Sequence, residues 1–143
     1  MTESPAKATP LHRKLGIKPS HRVAVLNAPV GFEATLGVLP EGVEVFDSLD
    51  GGGDGDVEQL DVVVWFGVER AGLERIIREA RAALTAEGGL WIGWPKRASG
   101  IATEVDADVV RELALPTGLV DNKICAMDAA WSGIRLVLRR ELR

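Results

Sequence analysis

Branched apolar runs of strand length alternate along this chain with stretches whose apolar residues return every three or four positions. Arg22-Val23-Ala24-Val25-Leu26 and Val43-Glu44-Val45-Phe46 read as strands. Asp61-Val62-Val63-Val64-Trp65-Phe66 is apolar on both faces, as a central parallel strand must be. Leu90-Trp91-Ile92-Gly93-Trp94 predicts a further buried strand. From Glu69 to about Thr85, Leu73, Ile76, Ile77, Ala80 and Leu84 fall on one helical face. Arg70, Glu74, Arg78 and Arg81 take the others, with Glu74 and Arg78 as a favourable i,i+4 pair on a solvated face. Glu87-Gly88-Gly89 supplies the helix stop.

The remaining elements are shorter. Thr9-Pro10 offers an N-cap with proline at the first helical position, predicting a helix to about Leu15 that stops at Gly16. Gly31 to Leu36 is a second short helix, ended by Gly37, and Pro40-Glu41-Gly42 turns into the second strand, which ends at Asp47. Thr103 is the expected cap of the last helix, with Asp106 three residues on and Val109, Val110, Leu113 and Ala114 on its buried face. Val120 to Met127 and Ile134 to Arg139 then follow as strands. The link Asp128 to Gly133 is too tight for a crossover, so these two form an antiparallel hairpin. Residues 1–8 are polar and small and predict a disordered tail, which leaves 9–143 as a single domain. Gly51-Gly52-Gly53-Asp54-Gly55-Asp56 predicts a mobile surface loop. Asp50, Asp54 and Asp56 lack the ordered spacing of a calcium loop, so no metal is expected there.

This order of elements is satisfied by a three-layer α/β sandwich. Its sheet is mostly parallel, doubly wound with right-handed crossovers, and carries a C-terminal antiparallel hairpin with a reversed strand at one edge. The terminal hairpin, together with the helix-Gly-Gly-strand segment from Ala83-Leu84 to Glu87-Gly88-Gly89-Leu90-Trp91-Ile92, resembles the class I methyltransferase fold, a Rossmann-like architecture. The resemblance implies a truncated version, lacking one helix-strand unit between Phe46 and Asp61, with the final strand inserted antiparallel beside the penultimate one. Nearly the whole chain also resembles a small actinobacterial-type bacterial family that is a domain of unknown function. That likeness rests on Leu15-Gly16-Ile17-Lys18-Pro19, Leu26-Asn27-Ala28-Pro29 with Gly31-Phe32, Leu90-Trp91 through Trp94-Pro95-Lys96, and Gly118-Leu119-Val120-Asp121-Asn122-Lys123 through Trp131-Ser132-Gly133. It implies the fold and brings no activity with it.

Composition narrows the function more than it names one. The chain has 143 residues, 46% of them hydrophobic, enough for one core, and a net charge of -4 with acids and bases interleaved. No basic face suggests a nucleic-acid partner, no apolar run approaches a membrane span, and no secretory signal opens the chain. A cytoplasmic protein without disulfides is expected, since Cys125 is its only cysteine, and it reads as a small core residue on a strand. One cysteine and two histidines, His12 and His21, do not make a closed zinc set.

The site logic starts from the first strand. A nucleotide-binding domain follows it with a glycine fingerprint that lets backbone approach a phosphate at a helix N-terminus. Here the turn is Asn27-Ala28-Pro29-Val30-Gly31, with one glycine and a proline that removes a donor, so no cofactor is expected. An acid at the end of the second strand, Glu44 or Asp47, stands where the methyltransferase pattern holds a ribose. Ligands of open α/β sheets sit at the carboxyl ends of the strands. Asn27, Asp47, Trp94, Lys96, Asp128, Trp131 and Ser132 are therefore the candidates for a crevice there. In the structural alternative Lys96 pairs with Asp128, Trp131 packs on Pro95, and Asn27 caps the helix near Phe32. No nucleophile elbow, catalytic triad or carboxylate pair is present. Three readings remain. The favoured one is a non-catalytic domain that binds a protein partner or itself as a homo-oligomer. The others are a module for an unidentified small molecule and a divergent transferase.

Overall fold

The computed structural model describes residues 10–49 and 59–143. The expected tail, the glycine-rich loop and its aspartates lie outside them, as does Thr9. A six-stranded sheet of order β2-β1-β3-β4-β6-β5 is formed by β1 (Arg22–Leu26), β2 (Glu44–Phe46), β3 (Leu60–Phe66), β4 (Leu84–Pro95), β5 (Leu119–Ala126) and β6 (Trp131–Leu138). Strands β1 to β4 pair in parallel, while β6 runs antiparallel between β4 and β5. The reversed strand therefore lies one place inside the edge rather than at it. The apolar pattern explains this: Ile134 and Leu136 of β6 are fully buried, whereas Asn122, Lys123 and Ile124 of β5 are exposed.

Helices α3 (Arg70–Ala83) and α4 (Ala107–Ala114) cover one face of the sheet. Leu73, Ile76, Ile77 and Ala80 form the predicted stripe of α3 against Val63, Trp65, Leu90 and Ile92. Burying each of the larger side chains contributes about 1.5–3 kcal/mol relative to exposure. Two short helices, α1 (Leu11–Lys14) and α2 (Phe32–Leu36), cover the other face, where Leu15, Phe32 and Leu36 meet Val62, Val64, Phe66 and Trp91. Successive residues of β3 thus feed opposite cores, which is why its run has no polar interruption after Asp61.

Local expectations change in three places. Helix α3 ends at Ala83, and Glu87-Gly88-Gly89 belongs to β4, because Leu84 pairs with Leu60 and a register irregularity carries the chain to the Val62–Gly89 pair. Asp106, not Thr103, caps α4 by accepting the Val109 amide at 2.9 Å, while Thr103 Oγ1 accepts from the Val105 amide just before it. Glu74 lies 3.8 Å from Arg70 rather than pairing with Arg78, and Arg70 also reaches Glu112 at 2.8 Å. That hydrogen-bonded Glu112 contact raises the Arg70 pKa further above its ordinary value.

Trp91 ties the weakest element to the strongest. Its fully buried indole N–H donates to the Leu15 carbonyl at 3.0 Å, fastening the end of the four-residue α1 to β4. So short a helix holds its shape through such contacts rather than through propensity. Trp91→Phe should leave that carbonyl unpaired and lower unfolding free energy by about 1–3 kcal/mol, measured by urea denaturation. A loss below about 0.5 kcal/mol would mean that the bond is replaced by solvent.

Candidate functional site

The carboxyl ends of β1, β3 and β4 and the start of β6 share one edge of the sheet. Asn27 leaves β1 with φ +60°, a left-handed turn that asparagine tolerates. Gly31, at φ +87°, precedes α2 and is its N-terminal residue, so Asn27 does not cap that helix. Lys96 follows β4 and donates its backbone N–H to the Ala130 carbonyl at 2.7 Å, which sets the Asp128–Trp131 hairpin directly beside it.

The expected Lys96–Asp128 pair does not form. Asp128 Oδ1 instead accepts from the Ala130 and Trp131 amides, each at 2.8 Å, and so shapes its own turn. Those amides are nearer and fixed by the backbone, while Lys96 is held at that edge only through its main chain. Trp131 is the ladder partner of Pro95, but its ring goes elsewhere. It meets Phe66 edge-on at 5.3 Å, and Phe66 meets Phe32 edge-on at 4.9 Å. The three rings run in a row from β6 across the end of β3 to the start of α2. On the opposite face the buried Trp65 indole lies over Gly67, where a Cβ would stand 2.1 Å from the ring. The sheet reverses its winding between β1 and β3, and this is where an open α/β sheet receives its ligand.

The other candidate residues are spread over separate hollows flanking this aromatic row. Asn27 shares one of about 510 Å³ with Trp65, Gly67, Arg75 and Glu79. Asp47 borders another of about 460 Å³ with Val25, Ala28, Phe32, Glu33 and Phe46. Trp94, Lys96 and Ser132 line a third of about 520 Å³ beside Thr103 and Asp106. Trp131 was among the residues expected at this edge, whereas Phe32, Trp65 and Phe66 were missed in the sequence. Their signal was there in retrospect, since Trp65 and Phe66 end β3 and Phe32 opens α2 at the same edge. Cys125, half-buried on β5, has its thiol pKa pushed up by burial, with Lys123 and Lys14 opposing, which disfavours a thiolate nucleophile.

The family model for a protein of unknown function, DUF3052, matches residues 47–140. The chain belongs to the DUF3052 family. No curated protein matches it. Solved structures similar to this DUF3052 chain share its fold. The ribosomal protein L11 methylase of Lactobacillus delbrueckii subsp. bulgaricus has TM-score 0.59 and 11% identity, over 91% of this chain and 75% of that one. The TehB-like SAM-dependent methyltransferase of Corynebacterium glutamicum has TM-score 0.54 and 13% identity, over 95% and 92%. LepI in complex with SAM has TM-score 0.55 and 14% identity over 97% of this chain, which spans half the length of LepI. At such identities the likeness establishes a methyltransferase-like α/β fold. Among the described residues, no helix is long and apolar enough to cross a membrane.

The redirected Asp128 gives a direct check on this DUF3052 edge. Lys96→Ala should change stability by no more than about 0.5 kcal/mol, and Asp128→Ala should cost about 1–2 kcal/mol by freeing two turn amides. Thermal unfolding of both variants tests it. Equal losses would restore the ion pair.

Proposed function

We propose that this chain is a non-catalytic binding domain on a methyltransferase-like frame, with its cofactor end filled by its own aromatic rings. The observation that carries this is the Phe32–Phe66–Trp131 row at the carboxyl edge, with Trp65 closing the other face over Gly67. LepI was solved in complex with SAM and the TehB-like relative is a SAM-dependent methyltransferase, so the fit of S-adenosylmethionine is the natural question. Asp47 suits a ribose hydroxyl, bordering a hollow beside the end of β1. The methionine half does not fit. The β1 turn contains Pro29, and the amide of Phe32 is already bonded to the Pro29 carbonyl at 3.1 Å. No methyl-transfer step is therefore assigned to these residues.

Binding to a protein partner or a second copy agrees with what the surface offers instead. Val30 in the β1 turn is fully exposed, and Val45 and Ile124 are about half exposed on β2 and β5, the edge strands among the described residues. A small-ligand module is the second reading, favoured by the Asp47 hollow with its apolar floor of Val25, Phe32 and Phe46.

Calorimetric titration with S-adenosylmethionine decides between them. No saturable heat is expected at concentrations up to several hundred micromolar. Micromolar binding abolished by Asp47→Ala would overturn the partner-binding reading in favour of a ligand site.

A further inference from the structure

At the other end of the sheet, α1, the amino ends of β3 and β4, and the middle of β5 and β6 enclose a hollow of about 340 Å³. Among the described residues, its walls carry Arg13, Lys14, Lys18, Lys123 and Arg135 against two acids, Asp61 and Glu87. This concentration of positive charge stands out in a chain whose net charge is -4. We propose that this hollow is a binding site for a polyphosphate group, carried by inorganic tripolyphosphate or by a nucleoside triphosphate.

Arg135 is the centre of the site. It sits within β6 between the buried Ile134 and Leu136, on the face that α1 only partly covers. Its guanidinium lies against the bare backbone of Gly89, where a Cβ would come within 2.5 Å of Nε. Gly89 thus acts as a slot for an arginine, while a Cβ on Gly88 would meet the Asp61 carbonyl instead. Among the described residues, no carboxylate reaches Arg135 at ion-pair distance. Burial presses its pKa below the ordinary value, and Arg143 adds to that. A half-buried cation without a counter-charge is costly, and a bound anion relieves the cost.

The rest of the wall is built to donate. Lys123 Nζ gives one hydrogen bond to the Lys14 carbonyl at 2.8 Å, which fixes it beside the hollow with protons to spare. His21 Nδ1 accepts the Lys18 amide at 3.1 Å, so the neutral ring carries its proton on Nε2. Asp61 Oδ2 accepts the Arg22 amide at 2.9 Å, so one of its oxygens is committed to the strand backbone. Several phosphates need several cations, and five cationic side chains around one small hollow favour a chain of phosphates over a single carboxylate.

The test is calorimetric titration of the full chain with tripolyphosphate, ATP and adenosine in low-salt buffer. Saturable binding of tripolyphosphate and ATP, with none of adenosine, is expected, weakening as salt rises. Equal affinity for the two phosphate ligands assigns recognition to the phosphates alone, and a tighter ATP adds the nucleoside to the site. Arg135→Gln should weaken binding at least tenfold. Lys18→Gln, on an exposed residue, should weaken it several-fold with an unchanged unfolding midpoint, and Glu87→Gln should strengthen it. No saturable binding of either phosphate ligand, or binding indifferent to both Arg135→Gln and Lys18→Gln, overturns the proposal.

Discussion

The pairing of β6 with β4 is the constraint on which both ends of this molecule depend. Leu90 opposes Leu136, Trp91 opposes Arg135, and Pro95 opposes Trp131. This one register puts the Trp131 ring against Phe66 at the carboxyl edge and the Arg135 guanidinium over Gly89 toward the other. A slip of one residue would turn Ile134 and Leu136 out of the α3–α4 core and Arg135 into it. Burial of those two aliphatic side chains against an unpartnered cation makes that slip prohibitive.

Much of the frame could be read because strand and helix periods differ so clearly here. The uninterrupted Val62-Val63-Val64 run announced a central strand, and the Leu73, Ile76, Ile77 and Ala80 stripe announced α3. The misreadings have local causes. Gly88-Gly89 has the composition of a helix stop, and only the Leu60–Leu84 pairing, a contact between distant segments, makes it strand. Thr103 and Asp106 are equally good caps by type, and the choice falls to the backbone that presents its oxygen to Val109.

The candidate site was harder to read because strand order placed its residues but could not orient their side chains. Lys96, Asp128 and Trp131 do leave the sheet at one edge, yet Asp128 turns back to its own amides and Trp131 toward Phe66. Short-range hydrogen bonds and aromatic packing decided that outcome, and neither leaves a spacing pattern in the sequence. Arg135 was passed over for a related reason. A lone basic residue in an apolar strand looks like an exposed position until the neighbouring β4 glycine, Gly89, is seen to receive it.

A fold shared with methyltransferases therefore carries two differently furnished ends, aromatic at the carboxyl edge and basic near α1. The central claim concerns the first. Amide and indole chemical shifts of the full chain, followed during titration with S-adenosylmethionine, test it at the residues themselves. The account predicts unchanged signals for Asn27, Ala28, Gly31, Gly67 and the Trp131 indole. Saturable shifts at those positions would contradict it.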